Sequence, residues 1–222
     1  MIKINKSREP RELELYRQKP DANYSNMPSD VKSSVLESLM KEQGYLCAYC
    51  MRKIPEIREL PAGVSPVTIE HWKAQNPEDE IASGQDLDYN NMFAVCAGNR
   101  GCGHKKNLTC DAKRGNKTLT VDPKSQYSIM QIKYKSNGYI YSENEDINRD
   151  LNEILNLNCE AISLPETRKQ VLDALIKDIS RNKGSASIDT YCKRKLSALK
   201  SDSTKKTYVG ILIWWLERHV SV

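Results

Sequence analysis

The residues best suited to chemistry crowd into one stretch, 47–117. It holds five of the seven cysteines and two of the three histidines of the 222-residue chain. Cys47 and Cys50 are separated by two residues, a spacing at which a tight turn lets two thiolates reach one zinc ion at about 2.3 Å. Cys96, Cys102 and Cys110 follow, with Glu70-His71 and Asn90-Asn91 between the two groups of thiols. A carboxylate is a ligand for a hard divalent cation. An imidazole titrates near neutral pH and can take a proton from water.

An odd number of cysteines does not fit a closed disulfide framework. The first eight residues, Met-Ile-Lys-Ile-Asn-Lys-Ser-Arg, carry charge but no apolar core of a secretory signal. Clustered cysteines in such a chain read as metal ligands of a soluble cytoplasmic protein. No run approaches the roughly 18 apolar residues of a membrane span. A thioredoxin-like redox pair is the rival reading of Cys47-x2-Cys50, and the strand and helix pattern it needs is missing. Cys159 and Cys192, outside the stretch, read as ordinary buried thiols.

The net charge of +5 is unevenly placed. Between residues 99 and 117 lie Arg100, Lys105, Lys106, Lys113, Arg114 and Lys117 against Asp111 alone, an excess as large as that of the whole chain. Basic charge beside a ligand cluster fits a polyanion partner. It equally fits a solvated loop, or the offsetting of a thiolate centre that keeps a net negative charge around its ion.

The elements that must position these groups are short, and the expected class is α+β. A helix is expected from about Arg11 to Arg17. A second carries Val31, Val35, Leu39 and Met40 at helical spacing, with Ser29 or Asp30 as its cap and Gly44 as its stop. Pro55, Pro61, Gly63 and Pro66 mark a loop, and 76–84 reads as an acidic loop. Val67-Thr68-Ile69 reads as a strand ending in Glu70-His71, and Phe93 to Cys96 as its return. A short helix starts at Asp111. A further strand is expected over 118–121, and a hairpin around Ser136-Asn137-Gly138. Residues 147–155 read as helix. Three more helices follow, the first opened by a Ser163-x2-Glu166 capping box and ended at Lys183-Gly184. The last, with Trp214 and Trp215, is apolar on nearly every side, so it is either central to a bundle or docked on another chain. The organisation read is 1–44, an N-terminal extension and helix; 45–123, the ligand-bearing core; 124–160, hairpin and connecting helix; and 161–222, a helical region.

Cys-x2-Cys, Glu-His, Asn-x4-Cys and Cys-Asp-x-Lys, in this order over residues 45–117, resemble the HNH nucleases. Cys47-Ala-Tyr-Cys-Met-Arg52, Ile69-Glu-His-Trp72, Leu87-Asp-Tyr-Asn-Asn-Met92, Cys110-Asp-Ala-Lys-Arg-Gly-Asn116 and Leu155-Asn-Leu-Asn158 resemble more closely the PtuB subunits of Septu-type anti-phage systems, retron-linked versions included. The resemblance implies a zinc-stabilised ββα-metal core with flanking helices, a defence role and endonuclease activity. The partners implied are a DNA or RNA substrate and a large PtuA-like ATPase subunit. In retron-linked versions a reverse transcriptase with its nucleic acid joins them.

Roles follow from the family's pattern. His71 is the general base. Glu70 and Asp111 hold a catalytic Mg²⁺ or similar ion, with the chain bending at Glu70-His71 so that both reach one site. Asn91 holds the loop and orients the imidazole, and Asn90 is its neighbouring alternative. Many members carry His or Asn where Asp111 stands, so Asn116 and His104 are alternative second ligands. The structural zinc takes Cys47, Cys50, Cys96 and, by the closer resemblance, Cys110, with Cys102 the alternative. Lys105, Lys106, Lys113 and Arg114 are the expected phosphate contacts. The rival function is a zinc-stapled adaptor that binds nucleic acid or the ATPase and cuts nothing.

Overall fold

Strand β2 (Met92–Cys96) is buried along its whole length, and the rest of the chain packs on both of its faces. The computed structural model describes residues 1–54, 63–78, 84–101, 103–182 and 187–221. Pro55, Pro61, Cys102, Lys183, Gly184 and part of the acidic loop therefore lie outside the described residues.

Strand β1 (Val67–His71) pairs antiparallel with β2, Val67 opposite Cys96 and His71 opposite Met92. Side chains alternate across a strand, so Met92 and Ala94 serve one face while Phe93 and Val95 serve the other. The first face meets Leu13 and Tyr16 of α1 (Arg11–Arg17) and Val31, Val35 and Leu39 of α2 (Ser29–Glu42). The second meets a larger apolar cluster drawn from all four segments distinguished in the sequence, from Ile4 and Leu46 to Ile140, Leu172 and Leu216. The free edge of β2 is closed by a side chain. Gln43 accepts from the Ala94 N–H and donates to the Ala94 carbonyl, at 2.8 and 2.7 Å. That satisfies a ladder position that no strand covers.

The first helix forms over the expected residues, and the second lies where periodicity places it. Pro28 precedes the second, however, and no side chain caps it. Gly44 ends it at φ +63°, where a Cβ would fall 2.4 Å from Lys205 Cγ. Helix α3 (Cys110–Arg114) is short. The strand expected over 118–121 does not form. The N–H groups of Thr120 and Val121 instead donate to Asp150 Oδ2 at 2.6 and 2.8 Å, so a buried carboxylate takes the place of a ladder.

The hairpin is present as β3 (Ile132–Tyr134) and β4 (Ile140–Ser142). Its first strand, expected from Ile129 to Lys135, is shorter because Ser125 caps a helix, α4 (Gln126–Met130), that takes up Ile129 and Met130. Helix α5 (Glu145–Arg149) continues into a π-helical turn, Asp150–Ile154. Helices α6 (Leu164–Arg181), α7 (Ile188–Ser201) and α8 (Val209–Glu217) complete the chain. The capping box at α6 is not made. Ser163 sits at φ +54° with its side chain unbonded to the helix N–H groups, and its carbonyl accepts from Thr167. Helix α8 is central: it packs on α6, α7 and β3, with Trp214 edge-on to Tyr134. Among the described residues no helix is long and apolar enough to cross a membrane. The architecture is thus α+β with two small antiparallel sheets.

Candidate metal centre and candidate active site

Cys47, Cys50, Cys96 and Cys110 converge, all buried, with their sulfurs within 4.8 Å of one another. Three of the pairs are 3.7, 3.8 and 3.9 Å apart. A regular tetrahedron with metal–sulfur bonds of about 2.3 Å has edges of about 3.8 Å. A disulfide would need about 2 Å. The four thiols therefore fit a tetrahedral ion such as zinc.

Local structure explains each ligand. Cys47 and Cys50 sit in a knuckle closed by the Leu46–Lys53 bridge, with the Cys47 N–H donating to the Arg52 carbonyl at 2.9 Å. Cys96 is the last residue of β2. Cys110 opens α3 at φ +54°, held by its N–H to the Leu155 carbonyl at 2.9 Å. Gly98 lets the strand exit pass this helix, since a Cβ there would lie 2.3 Å from the Thr109 carbonyl oxygen. Asn156 donates to the Lys106 and Leu108 carbonyls, and Asn158 pairs with both backbone groups of Ile140. Leu155-Asn-Leu-Asn158 thus ties the cysteine loop to the hairpin.

Four thiolates around a divalent ion leave two negative charges, and Arg52 meets them. Its guanidinium lies 3.6 Å from Cys96 Sγ. Burial works against its charge, but Cys50, Cys96 and Cys110 push its pKa up overall.

Glu70 and His71 end β1, Asn91 directly precedes β2, and Asp111 follows Cys110 in α3. The bend expected at Glu70-His71 is absent: β1 runs in register through His71, and the two side chains leave on opposite faces. Glu70 Oε1 accepts from the Tyr49 hydroxyl at 3.1 Å and from the buried guanidinium of Arg114. Burial pushes its carboxyl up to about 8, with Arg114 opposing and Asp111 reinforcing the shift. The ring of His71 is held by Nε2 to the Asp86 carbonyl at 2.9 Å. A carbonyl only accepts, so Nε2 carries the proton of the neutral ring and Nδ1 is the basic nitrogen. Burial also lowers the imidazole pKa, which favours that neutral form.

Asn91, buried, braces the loop instead of touching the ring. Its Oδ1 accepts from the Lys73 N–H at 2.7 Å, and its Nδ2 donates to the Lys73 and Gln85 carbonyls at 3.0 and 3.2 Å. Gln85 directly precedes Asp86, whose carbonyl holds His71. Asn90 is exposed. Asp111 Oδ2 pairs with Arg100 at 2.5 Å. His71 Nδ1 has no hydrogen bond among the described residues, and Glu70 and Asp111 are near enough for a side-chain contact that helps raise the Glu70 pKa. Glu70, His71 and Asp111 do not gather as closely as the cysteines. Among the described residues, the four thiols are the one set of three or more His, Cys, Asp or Glu ligand atoms within 4.8 Å.

Two alternatives lie outside this arrangement, His104 and Asn116, both exposed. Lys105 and Lys106 are exposed and Lys113 is half-buried. Arg114 departs from the expectation of a phosphate contact. It is 1% exposed and donates to Glu70 and to the carbonyls of His71, Trp72 and Lys117, so no external phosphate reaches it. Tyr49 and Asp86 carry roles that sequence reasoning missed. Tyr49 stands inside the Cys-Ala-Tyr-Cys motif, a visible signal. Asp86 acts through its backbone, which no residue type announces. No family model matches the chain, and no curated protein matches it either.

Proposed function

We propose that the protein is a metal-dependent HNH-type endonuclease with a zinc-stapled ββα-metal core, acting on DNA or RNA as the nuclease arm of an ATPase-controlled defence complex. The observation that carries the reading is the Nδ1 of a buried, neutral imidazole, without a hydrogen bond among the described residues, on the residue next to Glu70, whose carboxyl is pushed up by burial and by Asp111. Phosphodiester hydrolysis needs water deprotonated and charge on the phosphate and leaving oxygen neutralised. His71 Nδ1 takes the proton, and the Asp86 carbonyl keeps Nε2–H in place as the ring becomes cationic. Two hard oxygens, Glu70 Oε2 and Asp111 Oδ1, suit a divalent ion such as Mg²⁺, which when bound would stabilise the charge on the phosphate. Arg114 fixes Glu70 and the His71 carbonyl together. Lys105 and Lys106 offer backbone contacts that do not read sequence.

The test is His71→Ala, assayed with DNA and RNA, with and without Mg²⁺, in the presence of an ATPase partner. Cleavage by the wild type, abolished by EDTA and by the substitution at unchanged zinc content and melting temperature, is the expected result. Cleavage by a pure, folded His71→Ala protein overturns the assignment.

The second reading, a zinc-stapled adaptor, draws on the ion pairs Arg114–Glu70 and Arg100–Asp111, which already engage both carboxylates. Nucleic acid or ATPase binding without cleavage under any metal would favour it.

A further inference from the structure

We propose that Tyr24, in the N-terminal extension, is a positioning residue for His71, acting on the imidazole through its ring and on the imidazole's acceptor through its backbone. This rests on the nuclease reading above. The phenol ring stands edge-on to the imidazole, centroids 4.5 Å apart at 87°. Such T-shaped pairs have a preferred geometry set by the ring quadrupoles, so an aromatic neighbour fixes a ring's tilt better than an aliphatic one. The Tyr24 N–H donates to Asp86 Oδ2 at 2.9 Å, while the carbonyl of the same Asp86 accepts from His71 Nε2 at 2.9 Å. Asp86 is thus gripped at both ends, and the three residues close a small triangle around the ring.

The triangle is anchored from outside the site. The Tyr16 hydroxyl on α1 donates to the Asn23 carbonyl at 2.9 Å, and the Asn26 N–H donates to Asn23 Oδ1 at 3.0 Å. Met27, three residues on from Tyr24, is buried beneath α1 and α2. Lys32 Nζ of α2 lies 5.0 Å over the Tyr24 ring. Burial, then Asp111, then Glu70 push the phenol up to about 12, in line with a ring that borders both carboxylates. An N-terminal segment that would otherwise be mere packing therefore reaches the candidate base.

Three variants test this: Tyr24→Phe, Tyr24→Leu and Asp86→Ala. Phenylalanine keeps the edge-on ring, and leucine removes it. Alanine at 86 frees the Tyr24 N–H and spares the carbonyl used by His71. The first readout is the His71 Nε2–H signal in ¹⁵N-resolved NMR, which requires no activity. It is expected to persist in Tyr24→Phe and to broaden or vanish in Tyr24→Leu and Asp86→Ala. The second readout is cleavage: kcat within about twofold for Tyr24→Phe, and lowered roughly tenfold to a hundredfold for the other two at similar KM, the scale of a small misplacement of a reacting group. An unchanged His71 signal in both Tyr24→Leu and Asp86→Ala overturns the proposal whether or not the protein cuts. Should Tyr24→Leu fail to fold, Asp86→Ala carries the same decision. Absence of cleavage by the wild type would sink the nuclease reading and leave the NMR result to stand on its own.

Discussion

Cys110 and Asp111 are consecutive residues of α3, and each belongs to a different kind of candidate site. Around Cys110 everything is closed. The donors are alike, the sulfurs sit at tetrahedral spacing, and a guanidinium balances them. Around Asp111 every group is half-engaged. His71 spends one nitrogen on a carbonyl, and Glu70 and Asp111 each spend one oxygen on an arginine. A staple reaches its stable state by saturating its ligands, whereas a reactive site needs atoms that the fold has aimed but left free. The two share a wall, so the first fixes where the second lies.

The contrast can be broken at several levels. Cys110→Ser removes a ligand from a closed set. Structural zinc is worth about 10–16 kcal/mol in zinc-finger peptides, against a total stability of about 5–15 kcal/mol for a domain. Loss of both zinc and a cooperative melt is expected, and a zinc-loaded serine variant with a wild-type melt would show the centre to be dispensable. Arg114→Met acts on the hinge between the sites. It leaves the Glu70 carboxylate buried without its partner, at a cost of about 3–5 kcal/mol by urea titration, while zinc content stays at that of the wild type. Simultaneous zinc loss would mean that the two sites are one unit. Asn91→Ala strips the brace behind the Asp86 carbonyl and should cost about 1–3 kcal/mol for buried groups left unpaired. Cleavage should fall with zinc retained. Unaltered cleavage would detach Asn91 from the placement of His71.

Much of the framework was readable from residue types. Thiols at fixed spacing announced the centre, and the short apolar runs Val67-Thr68-Ile69 and Phe93 to Cys96 announced β1 and β2. The helix at 29–42 follows its apolar periodicity, and a helix forms at 11–17 as expected. What sequence reasoning missed has a common cause, side chains that spend themselves on main chain. Asp150 captured the N–H groups of 120 and 121 and so replaced a strand. Arg114 lies among lysines and reads as a phosphate contact, yet its guanidinium donates to Glu70 and to three carbonyls inside. The expected bend at Glu70-His71 failed because ladder pairing continues to Met92. In the candidate site, residue types pointed to His71, Glu70, Asn91 and Asp111. They were silent on Tyr24 and Asp86, whose contacts run through the backbone and an aromatic edge.

The double-sided burial of β2 has a consequence for how the chain finds its shape. A slip of one residue against β1 would exchange the strand's two faces and carry Cys96 roughly 3.4 Å along, out of reach of its three companions. The ion would then find only three sulfurs. An ion captured by the four thiols during folding would thus act as a proofreader of strand alignment, accepting one pairing of the sheet and rejecting its neighbours.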